Sequence, residues 1–205
     1  MKKSNVLNAL VIGGLLTLTG CVGLKGSNEP AVAKIDFSLP QQIKWKQIKN
    51  QKQDGNTWAE WIPETNKDNN TAPVRVVYQR KVSAQPAKVF LLAAAQPLKK
   101  MCGDLKATAF KTASAYPNQM SIEALCSRFV KSGFGTVSYL TAYSDGQANY
   151  FLISEVKLPA SEKAGLINPK NDQEKKWAQT GAALAKVMKQ FNKNTRFCDA
   201  TGKCQ

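Results

Sequence analysis

The chain has 205 residues, 43% hydrophobic and 21% charged, with 29 Lys and Arg against 14 Asp and Glu. These proportions exclude a globally disordered chain, and the length suffices for one domain with a proper core. A formal charge of +15 favours anionic neighbours, and the absence of histidine removes the Ser/His/Asp triad, the Cys/His pair and the His metal site.

The chain opens Met1-Lys2-Lys3-Ser4, continues with an apolar run from Val6 to Leu18, and reaches Leu18-Thr19-Gly20-Cys21. Lysines, a short apolar stretch and small residues form a secretory signal peptide. The run has 13 residues, against roughly 20 for a membrane-spanning helix.

Leu18-Thr19-Gly20-Cys21 resembles the lipobox of bacterial lipoprotein precursors. The resemblance implies that residues 1–20 are removed and that Cys21 is the lipidation site. Its thiol would carry a diacylglycerol and its new amine a fatty acyl group such as palmitate. Two or more chains hold a protein stably at a bilayer. With Val22 where inner-membrane lipoproteins carry Asp, the resemblance implies an outer-membrane anchor facing the periplasm in a Gram-negative cell, and a cell-membrane anchor otherwise. The mature part, with a Trp-containing strand, a Cys-ending helix and a hairpin sheet, resembles uncharacterised exported bacterial proteins, a resemblance that brings no activity with it.

Without the leader, 27 basic residues face 14 acidic ones. Head groups, an anionic glycan or an acidic protein face suit that balance, and export sets nucleic acid aside. Four further cysteines, Cys102, Cys126, Cys198 and Cys204, read as two disulfides in an oxidising compartment. Of three connectivities, Cys102–Cys126 and Cys198–Cys204 join the nearest pairs. A zinc site would need all four thiolates, and neither spacing is C-x₂-C.

Residues 21–38 read as a flexible tether and 39–205 as a single periplasmic domain. Asp54-Gly55 marks a hairpin between strands at 43–52 and 57–62, and a third strand follows at 74–82. Residues 86–101 form a helix with Val89, Phe90, Ala93, Ala94, Leu98 and Met101 as its apolar stripe and a kink or end at Pro97. Strands follow at 106–113, 120–129, 136–143 and 149–157. The last two are joined through Asp145-Gly146, which sets Ala142 opposite Asn149, Leu140 opposite Phe151 and Ser138 opposite Ile153. A final helix starts at Asn171 with Glu174 three residues on, and its stripe is Trp177, Gly181, Leu184, Met188 and Phe191. The expected fold is α+β: an antiparallel sheet of about six or seven strands, two helices packed on one face, stapled by disulfides.

No catalytic constellation stands out. Ser154 and Lys157 match S-x-x-K but would face opposite sides of a strand. Glu60 and Glu64 are separated by Pro63 and a loop. Ser132-Gly133-Phe134-Gly135 lacks a P-loop lysine. The best candidate surface is Trp45, Trp58 and Trp61 with Lys44 and Lys46, aromatics interleaved with cations. The expectation is a non-catalytic, anchored envelope protein that binds an envelope protein or an anionic glycan, with no metal or cofactor. An inhibitor or immunity lipoprotein is the first alternative, and a hydrolase of unusual type the second.

Overall fold

The computed structural model describes residues 33–205; the leader, Cys21 and tether residues 21–32 lie outside them. The Asp54-Gly55 pair folds as expected. Both residues take positive φ, 49° and 73°, as a two-residue hairpin turn requires. They join β2 (Trp45–Gln53) to β3 (Asn56–Pro63) with Gln53 opposite Asn56. The pairing skips one residue between Gln47 and Lys49, a bulge that re-aims the edge strand.

β4 (Val74–Val82), β5 (Leu105–Ala109), β6 (Gln119–Cys126), β7 (Gly135–Ser144) and β8 (Ala148–Leu158) complete a seven-stranded antiparallel sheet. Its order is β2-β3-β4-β8-β7-β6-β5. A second, two-stranded sheet pairs β1 (Lys34–Asp36) with β9 (Arg196–Cys198). Residues 34–36 are therefore strand rather than tether, with Ala33 and Ile35 buried in the core.

The two helices, α1 (Ala87–Met101) and α2 (Asp172–Lys193), lie on opposite faces of the sheet, not on one. The reason is in the central strands. All ten residues of β7 are buried, and since neighbours in a strand point to opposite sides, both faces demand cover. Tyr139, Tyr143, Tyr150, Leu152 and Val156 pack with Met188 and Phe191 of α2. Leu140, Ala142, Phe151 and Ile122 pack with Ala87 and Leu91 of α1.

The buried stripe of α1 is Ala87, Leu91 and the half-buried Phe90, Ala95 and Leu98; Val89, Ala93, Ala94 and Met101 face outward. Every residue from Val89 to Ala95 is apolar, so the sequence periodicity could not choose a face. The helix also runs through Pro97 to Met101. Pro97 and Ala93, whose carbonyl loses its usual donor, are both exposed, so water can replace the missing bond. In α2, Asn171 Oδ1 accepts the Glu174 N–H at 2.9 Å. Glu174 in turn accepts from Lys170 N at 2.7 Å, one residue earlier than a standard capping box. Trp177 stays exposed, while Ala178, Gly181, Met188 and Phe191 are buried.

The β7–β8 hairpin turns one residue later than expected, so Ala142 faces Phe151, Leu140 faces Ile153 and Ser138 faces Glu155. Asp145 sits at the corner: its Oδ1 accepts from Gln147 N at 2.8 Å and from Ala148 N at 2.7 Å. The shift moves each partner by two residues, which leaves every side chain on its expected face.

Disulfides join Cys102 to Cys126 and Cys198 to Cys204. The first ties the C-terminal end of α1 to the last residue of β6. The second closes the tail loop next to β9. Among the described residues no helix is long and apolar enough to cross a membrane.

Candidate functional site

The tryptophans of the first hairpin do not form one cluster. Register places Trp45 opposite Pro63 and Trp61 opposite Val76, on the α2 side of the sheet. There Trp61 meets Phe37 edge-on at 5.8 Å, and Trp45 Nε1 donates to the Pro40 carbonyl at 3.0 Å. Both pack against the core. Trp58 pairs with Gln51 and Gln79 on the other face and is 38% exposed. Lys46 shares that face through its pairing with Ile62, whereas Lys44 precedes the strand and is exposed.

Around Trp58 the sheet surface forms an open cleft of about 580 Å³, lined among others by Gln51, Gln53, Thr57, Gln79 and Lys81. The Lys49 ammonium lies 4.1 Å from the centre of the indole ring, a cation–π contact on an exposed face. Three glutamines supply both donors and acceptors beside a broad apolar plate. Such a surface can stack on a planar or ring-shaped group, bond its hydroxyls and carboxylates, and attract negative charge. The glutamines are legible in the sequence only through register: Asp54-Gly55 alone sets Gln51 beside Trp58.

Further along the same face, Arg75 of β4 stands between two buried carboxylates. Its guanidinium is 3.4 Å from Glu60 Oε1 of β3 and 3.1 Å from Glu155 Oε1 of β8. Glu60 is thus a structural partner of Arg75, and Glu64 lies apart in the exposed loop after β3. Lys157 donates to the carbonyls of Asn69 and Asn70, pinning that loop to the sheet; burial lowers its ammonium pKa below the ordinary value. Ser154, on the opposite face from Lys157, is buried and accepts from Asn192 Nδ2. The S-x-x-K pair is therefore not assembled.

On the α2 side, burial pushes the Tyr78 hydroxyl up to about 12. Burial and the neighbouring Glu123 also raise Tyr139. Tyr139 donates to Glu123 Oε1 at 3.5 Å, and Glu123 pairs with Lys189 of α2 at 2.7 Å. A second open groove of about 580 Å³ runs between residues 36–42 and the C-terminal end of α2, crossed by the Arg196–Asp36 pair at 3.2 Å. Asp36 also approaches Cys198 and Cys204, but sulfurs bonded to each other have no thiolate to give a metal.

No known family's sequence pattern matches the chain, nor does any curated protein. Two of the solved structures that it distantly resembles are the following. A mutant of the protein Mog1 is 9% identical with a TM-score of 0.46, over 82% of this chain and 92% of that one. LpqN, described as involved in cell envelope biogenesis of Mycobacterium tuberculosis, is 14% identical with a TM-score of 0.44, over 83% of this chain and 87% of its own. Likeness at this level says nothing of activity or partner.

Proposed function

We propose that this is an envelope lipoprotein, held at the outer membrane by acyl groups on Cys21, whose domain binds an anionic envelope component through the Trp58 face. The pair of disulfides carries the reading, in a chain that opens with Lys2-Lys3, an apolar run and Leu18-Thr19-Gly20-Cys21. Disulfides persist where the surroundings are oxidising, as they are outside the cytosol. The domain's role is recognition: the exposed indole, its glutamines and Lys49, Lys46 and Lys81 suit an acidic glycan chain.

Fractionation of cells producing the Cys21→Ser variant tests the anchor. The native protein stays with the outer membrane, and the variant leaves it. Retention of the variant overturns the anchor. Sedimentation of the protein with purified cell-wall polymer tests the face. Trp58→Ala lowers the bound fraction at least tenfold in protein that circular dichroism shows to be folded, and an unchanged bound fraction refutes this surface.

A further inference from the structure

The end of the sheet where β6 stops and β7 starts is closed by two loops, residues 127–134 and 159–170. They are tied together firmly. Ser161 N donates to the Ser127 carbonyl at 2.9 Å, and Asp104 Oδ2 accepts from Ala164 N at 2.8 Å. Asp104 N donates to Ser127 Oγ at 2.9 Å.

Under the second loop, between α2 and the sheet, lies a slot of about 250 Å³. Leu125, Val137, Leu158, Ile167, Ala182 and Ala185 supply its apolar walls. The slot runs along β6 and β7 from Leu158 and Ser161 to Glu123 and Tyr139, about 10 Å at the usual rise per residue. At that far end Glu123 is already matched by Lys189 and Tyr139, so it asks nothing of a ligand.

On the other side of the same loop is a cleft of about 340 Å³ with opposite character. Arg128, Lys163 and Lys170 line it, against Glu162 alone. Ser161 lines both spaces. At the lip Leu166 is 61% exposed and Ile167 partly so. An apolar slot and a cationic cleft therefore meet at one residue, with the Glu123–Lys189 pair at the slot's other end.

We propose that this end of the domain binds an anionic phospholipid, one acyl chain in the slot and the phosphate on Arg128, Lys163 and Lys170. The slot falls below the roughly 300 Å³ at which pockets for drug-sized ligands begin, which suits a length of single chain rather than a ring system. The rim charges supply attraction that salt weakens, and the slot supplies attraction that salt does not. This site goes beyond the anchored, glycan-binding reading: it lies at the opposite end of the strands from Trp58, and it needs no acyl group on Cys21.

The test uses the purified full chain carrying Cys21→Ser, so that no anchor of its own competes, with cis-parinaric acid as the fluorescent probe. The fluorescence rises and saturates. Lysophosphatidylglycerol displaces the probe at least tenfold better than lysophosphatidylcholine of equal chain length at low salt, and glycerol phosphate does not displace it. Each methylene removed from the competitor weakens it about fourfold while the slot is filled. Ala185→Trp fills the slot and abolishes probe binding. Charge reversal at all three cations, Arg128→Glu with Lys163→Glu and Lys170→Glu, weakens the anionic lysolipid far more than the zwitterionic one and removes the preference for it. That surface variant carries the test if Ala185→Trp does not fold.

Absence of saturable binding, or equal displacement by the two lysolipids, overturns the proposal. So does a lipidated native chain that binds the probe ten times more weakly than Cys21→Ser, since its own anchor would then be the occupant. Membrane retention of the native protein is a separate readout, so failure of the anchor and failure of this site are distinguishable.

Discussion

Gly181 of α2 lies directly against Leu158 at the end of β8: a Cβ at position 181 would come within 2.4 Å of Leu158 Cδ2 and 3.3 Å of the Lys157 carbonyl oxygen. The helix approaches the sheet this closely because it carries no side chain there. Gly181→Ala gains about 1 kcal/mol in helix propensity. It also overpacks the contact, at a cost of about 2 kcal/mol, so the net is a loss of about 1 kcal/mol. In a Leu158→Ala background the obstruction is gone, and the same substitution becomes stabilising. Urea denaturation of the four proteins checks the change of sign; a loss in both backgrounds would mean that the Lys157 carbonyl, not Leu158, sets the limit.

The two disulfides differ in what they constrain. Cys102–Cys126 spans a sequence separation of 24 and ties α1 to β6, whereas Cys198–Cys204 spans a separation of 6. Loop-closure entropy gives about 3.5 kcal/mol for the first and about 2.3 kcal/mol for the second. Replacing Cys102 and Cys126 together by Ala is thus expected to lower the urea midpoint further than replacing Cys198 and Cys204. The reverse order would show that β1, which pairs with β9 beside the tail loop, depends on the smaller ring.

Local chemistry was the part of this fold legible in the residues. Asp54-Gly55 set the first hairpin's register, Asn171 and Glu174 the start of α2, and nearest-neighbour spacing the disulfides. What failed depends on a partner distant in sequence. The three-residue strands at 34–36 and 196–198 are too short to show alternation, and among the described residues each has the other as its only strand neighbour. The apolar run Val89–Ala95 of α1 could not announce its buried side until a sheet face was there to receive it. The three tryptophans were close in sequence, yet strand parity sends Trp58 to one face and Trp45 and Trp61 to the other. The lipid site was invisible for the same reason, since Leu125, Leu158 and Ala185 sit on three different elements.

Arg75 holds two nearly buried carboxylates, Glu60 and Glu155, whose side chains are 5% and 10% exposed. Arg75→Met removes the counter-charge that the two share, and removing one member of such a group costs about 3 kcal/mol. Adding Glu60→Gln and Glu155→Gln removes the stranded charges, so the triple variant recovers most of the loss. Chemical denaturation of the single and triple variants checks this. Equal instability of the two would show that Arg75 acts through its packing rather than through its charge.

Asp145 gives the domain an acid-sensitive corner. Burial alone would raise its carboxyl. The Tyr150 hydroxyl at 2.7 Å, the N–H groups of Ala148 and Gln147, and the Arg80 charge outweigh burial and hold it below 3.8. A carboxyl lowered by folding stabilises fully above its unfolded value, and that contribution fades as pH falls through the folded one. Asp145→Asn is therefore less stable than the native chain at pH 7, by about 1 kcal/mol for the lost charge-assisted bonds. The deficit closes as pH drops below 3.8. At the alkaline side the same pair acts through Tyr150, whose phenol is pushed up to about 12 by burial and by the bond to Asp145. The sign is opposite: a raised phenol keeps its proton in the fold, so this contribution is intact below 10.0 and is lost as pH climbs toward 12. Ultraviolet titration of the tyrosinates shows one phenol ionising at lower pH in Asp145→Asn than in the native chain, though still above 10.0 because burial remains; an unchanged titration would mean that burial alone sets Tyr150.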